Sequence, residues 1–186
     1  MLSRMNPHKI FLTLSITALA FTGCSHVERH LAQESTSPAT VPAAATPKPT
    51  PQAKKLTADD LKKLRWIEGT WRGTGVDQKP FFERYRFENP TTLLTETLAD
   101  EKVDKVTETS RFELKDGEFG NNEDGSRSVA TALDDNSITF EPVGKGNTFK
   151  FEKQSADAWK AILTWTANEK RPAGERIYNM ERWPKK

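Results

Sequence analysis

Turn-forming clusters punctuate the chain at short intervals beyond residue 69, and they constrain the fold more than any other feature. Glu88-Asn89-Pro90, Lys115-Asp116-Gly117, Glu123-Asp124-Gly125, Asp134-Asp135-Asn136 and Gly144-Lys145-Gly146 separate short runs rich in aromatic and β-branched residues. Such runs between Gly, Pro, Asn and Asp clusters read as β-strands. The runs fall at 70–75, 79–88, 91–98, 103–114, near Phe119, 127–133, 137–141, 147–153, 158–167 and 175–183. About nine or ten strands at this spacing predict a mainly β domain, a sandwich or barrel with up-and-down antiparallel connections. Just upstream, Thr57-Ala58-Asp59-Asp60 predicts a short helix through Leu64, with Thr57 as its cap and acids in its first turn.

Alternation separates the faces. Trp159, Ala161, Leu163 and Trp165 share one face of their run. Phe149 and Phe151 alternate with Lys150 and Glu152, and Ile138 and Phe140 with Thr139 and Glu141. One dry and one wet face is the pattern of an antiparallel sheet around a core.

The chain before this domain has a different composition. All five Trp lie at or beyond Trp66. Residues 1–23 open on Arg4 and Lys9 and continue into twelve apolar-rich residues, Ile10 to Phe21. A basic start, a short apolar core and small residues before a cut read as a secretory signal. The core falls well short of the roughly 20 residues a spanning helix needs. Residues 24–56 are rich in Pro, Thr and Ala and poor in large apolar residues. They predict a disordered, semi-extended tether, reaching ~3.1 Å per residue in polyproline geometry. A Pro-rich docking motif is the alternative use of that segment. The folding unit is then 57–186.

Cys24 is the single cysteine, so an internal disulfide is excluded. A lone cysteine can be a reactive thiol or a metal ligand, and here it stands at the signal's end. The ending Thr22-Gly23-Cys24 resembles the lipobox of bacterial lipoproteins, with Phe21 where leucine is usual. The resemblance implies fatty acyl chains, such as palmitate, on the Cys24 thiol and on the new amine. Each buried CH₂ contributes ~0.8 kcal/mol, so several chains anchor where one would not. By the family's sorting rule in enteric bacteria, Ser25 in place of aspartate implies the periplasmic face of an outer membrane, where the host has one. Ordinary cleavage leaving a free thiol is the alternative.

Charge excludes one class of partner. The chain carries 28 Lys and Arg against 26 Asp and Glu, and removing Arg4 and Lys9 with the signal leaves 26 against 26. No basic run interleaves with aromatics, so nucleic acid is not an expected partner.

The stretch Leu64-Arg-Trp66-Ile-Glu-Gly69-Thr-Trp71-Arg-Gly73-Thr-Gly75 resembles the opening of calycin barrels, where a short helix precedes Gly-x-Trp on the first strand. Its Gly-Thr-Trp-Arg-Gly-x-Gly form is most like the nitrobindin-type branch, which resembles fatty-acid-binding proteins. The resemblance covers about a dozen residues. It implies a single calycin-like barrel in which Arg182, on the last strand, packs across Trp71 as a structural pair. Nitrobindin-type proteins hold haem through a histidine. Here His8, His26 and His30 all precede the domain, leaving Tyr85, Tyr178 and Met180 as conceivable iron ligands. No cofactor and no metal are expected.

Three runs place a glutamate on an apolar face. Glu83 alternates with Phe81, Tyr85 and Phe87; Glu96 stands between Leu94 and Leu98; Glu108 shares parity with Val106 and Phe112. The runs are consecutive, so in a meander the carboxylates would be neighbours, costly unless paired, solvated or protonated. Glu83, Tyr85, Glu96 and Glu108 are therefore the candidate ligand site, a polar patch that would orient a cationic or hydroxylated molecule. Arg84, Arg86 and Arg111 take the opposite parity. The alternative is that these faces point outward at the strand ends, or that the glutamates pair with Arg176 or Arg182, and a bulge would dissolve the cluster.

Enzyme signatures are lacking. The domain has no histidine for a triad, and the glycines at 69–75 have no following helix to make a phosphate loop. Two functions remain: an envelope lipoprotein whose barrel binds a small, partly apolar ligand without catalysis, or a structural or partner-binding envelope lipoprotein with a solidly packed barrel.

Overall fold

The computed structural model describes residues 51–184 apart from Asp124, Glu169 and Lys170. The signal segment, Cys24 and nearly all of the tether lie outside the described residues.

Ten strands follow a short helix at Asp60–Ile67: β1 Gly69–Gly75, β2 Phe81–Asn89, β3 Thr92–Leu98, β4 Val106–Lys115, β5 Glu118–Glu123, β6 Ser126–Leu133, β7 Ser137–Pro142, β8 Thr148–Lys153, β9 Ala158–Trp165 and β10 Gly174–Arg182. Each pairs antiparallel with its neighbours in sequence, and β1 pairs with β10, so the sheet closes into an up-and-down barrel. Each expected run is a strand.

Local chemistry accounts for the turns. Asp116 and Gly117 both take positive φ, 52° and 79°, as a two-residue hairpin loop requires. The Asp134 carboxylate accepts from the backbone N–H of Asn136 and Ser137 and from the Ser137 hydroxyl, fixing the β6–β7 turn.

The helix differs from the expected one in type and position. It is a 3₁₀ helix running to Ile67. Leu61, Leu64 and Ile67 are all buried, and their spacing of three aligns them on one edge only at about three residues per turn. The Thr57 hydroxyl accepts from the Asp60 N–H while the Asp60 carboxylate accepts from the Thr57 N–H and hydroxyl, a reciprocal capping arrangement. The helix plugs one end of the barrel. Residues 54–56, assigned by sequence to the tether, are held there too. Lys54 N–H donates to the Ala130 carbonyl and Leu56 N–H to the Gly117 carbonyl, both at 2.8 Å, and Leu56 is buried.

At this plugged end the Arg182 guanidinium lies 4.2 Å from the centre of the Trp71 ring. It donates to the carbonyls of Glu68 and Ala156 and to the Asp157 carboxylate. The Trp71 indole donates to the Ile67 carbonyl at 2.6 Å. Gly69, at φ 128°, leaves room for Arg182, whose Nη1 would stand 2.3 Å from a Cβ there.

The barrel is filled with rings. Phe112, Phe119, Phe140, Phe151, Trp71 and Trp159 are each 2 % exposed or less, so a water-sized sphere finds essentially no free surface on them. Ring centroids of Phe112 and Phe140 stand 4.9 Å apart, and those of Phe140 and Phe149 5.0 Å apart. The outer wall carries ion pairs, including Arg84–Glu96, Arg111–Glu88 and Arg127–Glu118. Charge outside and aromatics inside is the reverse of a lipid-spanning barrel. Among the described residues no helix is long and apolar enough to cross a membrane.

The wall is not evenly laced. β4 pairs with β5 only through Glu113, Leu114 and Lys115. Leu114 N–H donates toward β3, to Thr91, so the backbone groups of Thr109 and Arg111 turn to the β5 side, beyond the ladder. β4 therefore overruns its neighbour at the end opposite the helix.

Candidate functional site

The inward register of β2, β3 and β4 carries polar residues through an otherwise aromatic interior. One rung is Trp71, Glu83, Thr97 and Glu108, and the next is Tyr85, Thr95 and Ser110. Glu83 and Tyr85 are two residues apart on one strand, so both point inward. The Tyr85 hydroxyl donates to Glu83 Oε2 at 2.7 Å. Both are buried, Glu83 at 2 % exposure.

Electrostatics follow from this placement. Desolvation by burial pushes the Glu83 carboxyl up to about 7; the Tyr85 hydrogen bond pulls it down and the Glu108 charge pushes it up. Burial, together with the adjacent Glu83, also holds the Tyr85 phenol well above its usual range. Near neutrality Glu83 therefore sits between its charged and neutral forms. The hydroxyls of Thr95, Ser110 and Ser128 and the indole N–H of Trp159 are buried without a hydrogen-bond partner. Such groups cost ~1–3 kcal/mol each when left unmet. Native interiors seldom keep them without a partner such as water or a ligand.

Two surface pockets lie at the end of the barrel opposite the helix. A pocket of about 570 Å³ lies mainly on the outer wall at this end, lined by Arg72, Phe82, Leu98, Asp100, Glu101 and Lys102, and it also touches Phe81 and Thr97. Phe81 and Thr97 flank Glu83, one on its own strand and one across the ladder. A second open pocket, of about 470 Å³, is lined by Val76, Asp77, Trp165, Arg176 and Ile177. Ser110, Asn121 and Phe81 retain 6–7 % exposure, whereas the rings deeper in retain 0–2 %.

Two of the three expected glutamates come together. Glu83 and Glu108 share a rung, Glu108 exposed at the rim and Glu83 buried. Glu96 does not join them. It faces outward, 3.2 Å from the Arg84 guanidinium and 3.5 Å from that of Arg86. The physical reason is that β3 is apolar on both faces. Leu93 faces in, and Leu94 and Leu98 are buried on the outer wall, so their parity marked the wrong face. Leu98 and Phe82 lie on the outer register of adjacent strands. The Trp183 ring lies 5.4 Å from Phe82, its indole donating to the Glu101 carbonyl. Val106 also parts from Glu108, since a register shift between Thr97 and Leu98 puts it opposite Leu98. Arg182 belongs to Trp71 and Asp157, not to the glutamates.

Sequence reasoning missed Thr95 and Ser110. Ser110 had a signal, lying between Glu108 and Phe112 at their parity. Thr95 had none, because its face is set by the misleading leucines. Among the described residues no group of three or more His, Cys, Asp or Glu is placed to hold a metal ion.

No family model matches the chain, and no curated protein matches it. Solved structures similar to this chain include these two. One is a protein of unknown function from the DUF3598 family of Nostoc punctiforme, with 15% identity and a TM-score of 0.44, over 73% of this chain and 52% of that one. The chain thus spans about half the length of that protein. The other is EF1p2_mFAP2b bound to DFHBI, with 12% identity and a TM-score of 0.33, over 64% of this chain and 96% of that one. The barrel assignment rests on the strand pairing itself.

Proposed function

We propose that the chain is an exported envelope lipoprotein whose barrel takes a small, partly apolar ligand at its open rim, without chemistry on it. The observation that carries this reading is the buried Glu83–Tyr85 pair, with the unmet hydroxyls of Thr95 and Ser110 one rung from Glu83, at the barrel end where a groove touches Phe81 and Thr97. Polar groups of that kind, converging next to a concave apolar surface, are the usual make-up of a ligand site. Phe81 supplies apolar contact, and Glu83, Tyr85 and Glu108 supply orientation. The Gly69–Gly75 motif and the Trp71–Arg182 pair support a calycin-type, nitrobindin-like barrel. The lipobox-like ending at Cys24 supports acylation, the Pro-rich segment supports a tether, and Ser25 supports the periplasmic face of an outer membrane.

Native mass spectrometry of the protein purified from its own host tests the reading. A retained small-molecule adduct, lost in a Glu83→Gln, Glu108→Gln variant, is expected. A ligand-free protein that also excludes hydrophobic dyes refutes it. The second reading, a partner-binding module with no ligand, is favoured by the ring-filled interior below the polar rungs, and that same result would select it.

A further inference from the structure

We propose that the groove beside the first residues of β10 binds a neutral saccharide, the C–H face of a pyranose ring packing on Val76, Trp165 and Ile177 while its hydroxyls meet the polar side chains around them. This site is separate from the Glu83–Tyr85 pair, and neither reading needs the other. The groove follows from strand lengths. β1 ends at Gly75, opposite Tyr178, whereas β10 begins at Gly174 and pairs with β9 from there on. Gly174–Ile177 thus runs past β1, and together with the loop after Gly75 it borders a groove of about 470 Å³. Val76 is 81 % exposed and Ile177 37 %. Apolar side chains left singly in water need no explanation, but these two share one groove with Trp165.

Trp165 is held in place without being buried. Its indole donates to the Pro172 carbonyl at 3.0 Å, and the Arg171 guanidinium lies 4.6 Å from its ring centre and is itself fixed by Asn147. A ring so fixed loses little freedom when a ligand arrives. Asp77, Gln78, Glu175 and Arg176 also line the groove, and among the described residues none of their side chains makes a hydrogen bond or ion pair. The outer wall elsewhere pairs its charges, as in Arg84–Glu96 and Arg111–Glu88. Two carboxylates accept, a guanidinium donates and an amide does both. An anion would meet Asp77 and Glu175, and a cation would meet Arg176. A hydroxyl donates and accepts, so a neutral polyhydroxylated ring answers the whole set, and its C–H face suits the apolar remainder.

Isothermal titration of the full chain carrying Cys24→Ser, with cellotriose, triacetylchitotriose and sorbitol at millimolar concentration, tests the site. At least one of the two neutral trimers is expected to bind. Sorbitol, which has the hydroxyls without the ring face, should bind about tenfold more weakly. Val76→Ser and Arg176→Ala change exposed side chains that the fold does not use, and each should weaken the trimer about fivefold, the worth of one apolar contact or one hydrogen bond. Trp165→Ala should abolish binding and Trp165→Phe should retain part of it. Far-ultraviolet circular dichroism checks that every variant folds. The proposal is overturned if neither trimer binds, if sorbitol binds as tightly, or if Val76→Ser and Arg176→Ala bind like the parent.

Discussion

Glu83 offers the sharpest test of the interior, because a buried carboxyl without a cation couples stability to pH in an unusual direction. Its folded-state value is raised from 4.5 to about 7, so between those values the folded chain holds a proton that the unfolded chain has released. The slope of unfolding free energy with pH follows the protons bound in the unfolded state minus those in the folded state, and here that difference is negative. Stability from this group is full below about pH 4.5, falls as pH rises, and is lost once pH passes about 7. A rise of between two and three pKa units corresponds to about 3 kcal/mol. The described residues contain no histidine, and the three of the chain all precede residue 31 and are common to both proteins compared. The carboxyls held low, Asp60, Glu118, Asp134 and Glu152, owe this chiefly to hydrogen bonds with Thr57, Arg127, Asn136 and Lys150 respectively. Their contribution has the opposite sign and is lost only as pH falls through their lowered values. Urea unfolding of the Cys24→Ser chain at pH 5, 6, 7 and 8 should show falling stability, and Glu83→Gln, which keeps the shape and removes the titration, should flatten the curve. Parallel pH profiles for the two proteins would show that Glu83 is hydrated in the folded state, and the polar rungs would lose their meaning as a site.

Other substitutions test the packing and the anchor. Gly73→Ala places a Cβ 2.0 Å from the Phe81 ring and should cost ~1–3 kcal/mol, largely recovered by adding Phe81→Leu. Gly120→Ala meets the Ser128 backbone carbonyl at 1.9 Å, where no side chain can yield. Urea unfolding should therefore show a larger loss than at Gly73, and the reverse order would refute the reasoning. Arg182→Lys keeps the charge but loses the planar contact with Trp71 and the fork of donors to Glu68 and Ala156. A loss of ~1–2 kcal/mol is expected, and an unchanged thermal midpoint would count against the pair. Cys24→Ser should move the protein from the membrane fraction to the soluble one and abolish acylation. Unchanged fractionation would remove the anchor.

The barrel was legible because its turns are written locally. Asp116-Gly117 and the Asp134 side chain each specify a bend from within a few residues, so about nine or ten strands could be placed without knowing their partners. The faces were legible where one side is plainly wet, as with Phe149 and Phe151 against Lys150 and Glu152. They failed on β3, where Leu94 and Leu98 are buried on the outer wall. Phe82, on the neighbouring strand, is covered by Trp183, about a hundred positions away in sequence. No alternation rule sees a cover supplied from the far end of the chain. They failed again at Val106, because a bulge leaves no trace in composition. The half of the site that could be read, Glu83 with Tyr85 and Glu108, was the half made of residues whose charge or size looks out of place on an apolar face. Thr95 and Ser110 are ordinary strand residues on either face, and only their burial gives them meaning.

That burial bears directly on the two functions. Packing alone does not require hydroxyls at Thr95 and Ser110, since Val and Ala would fill comparable space without an unmet polar group. The rest of the barrel interior is filled mainly by rings. A partner-binding module with a solid barrel would have no use for a carboxyl and two hydroxyls held just inside its rim at a cost in stability. The cost is sensible if something arrives to meet them. The end opposite the helix, where among the described residues β4 runs beyond its pairing with β5, is the proposed point of entry.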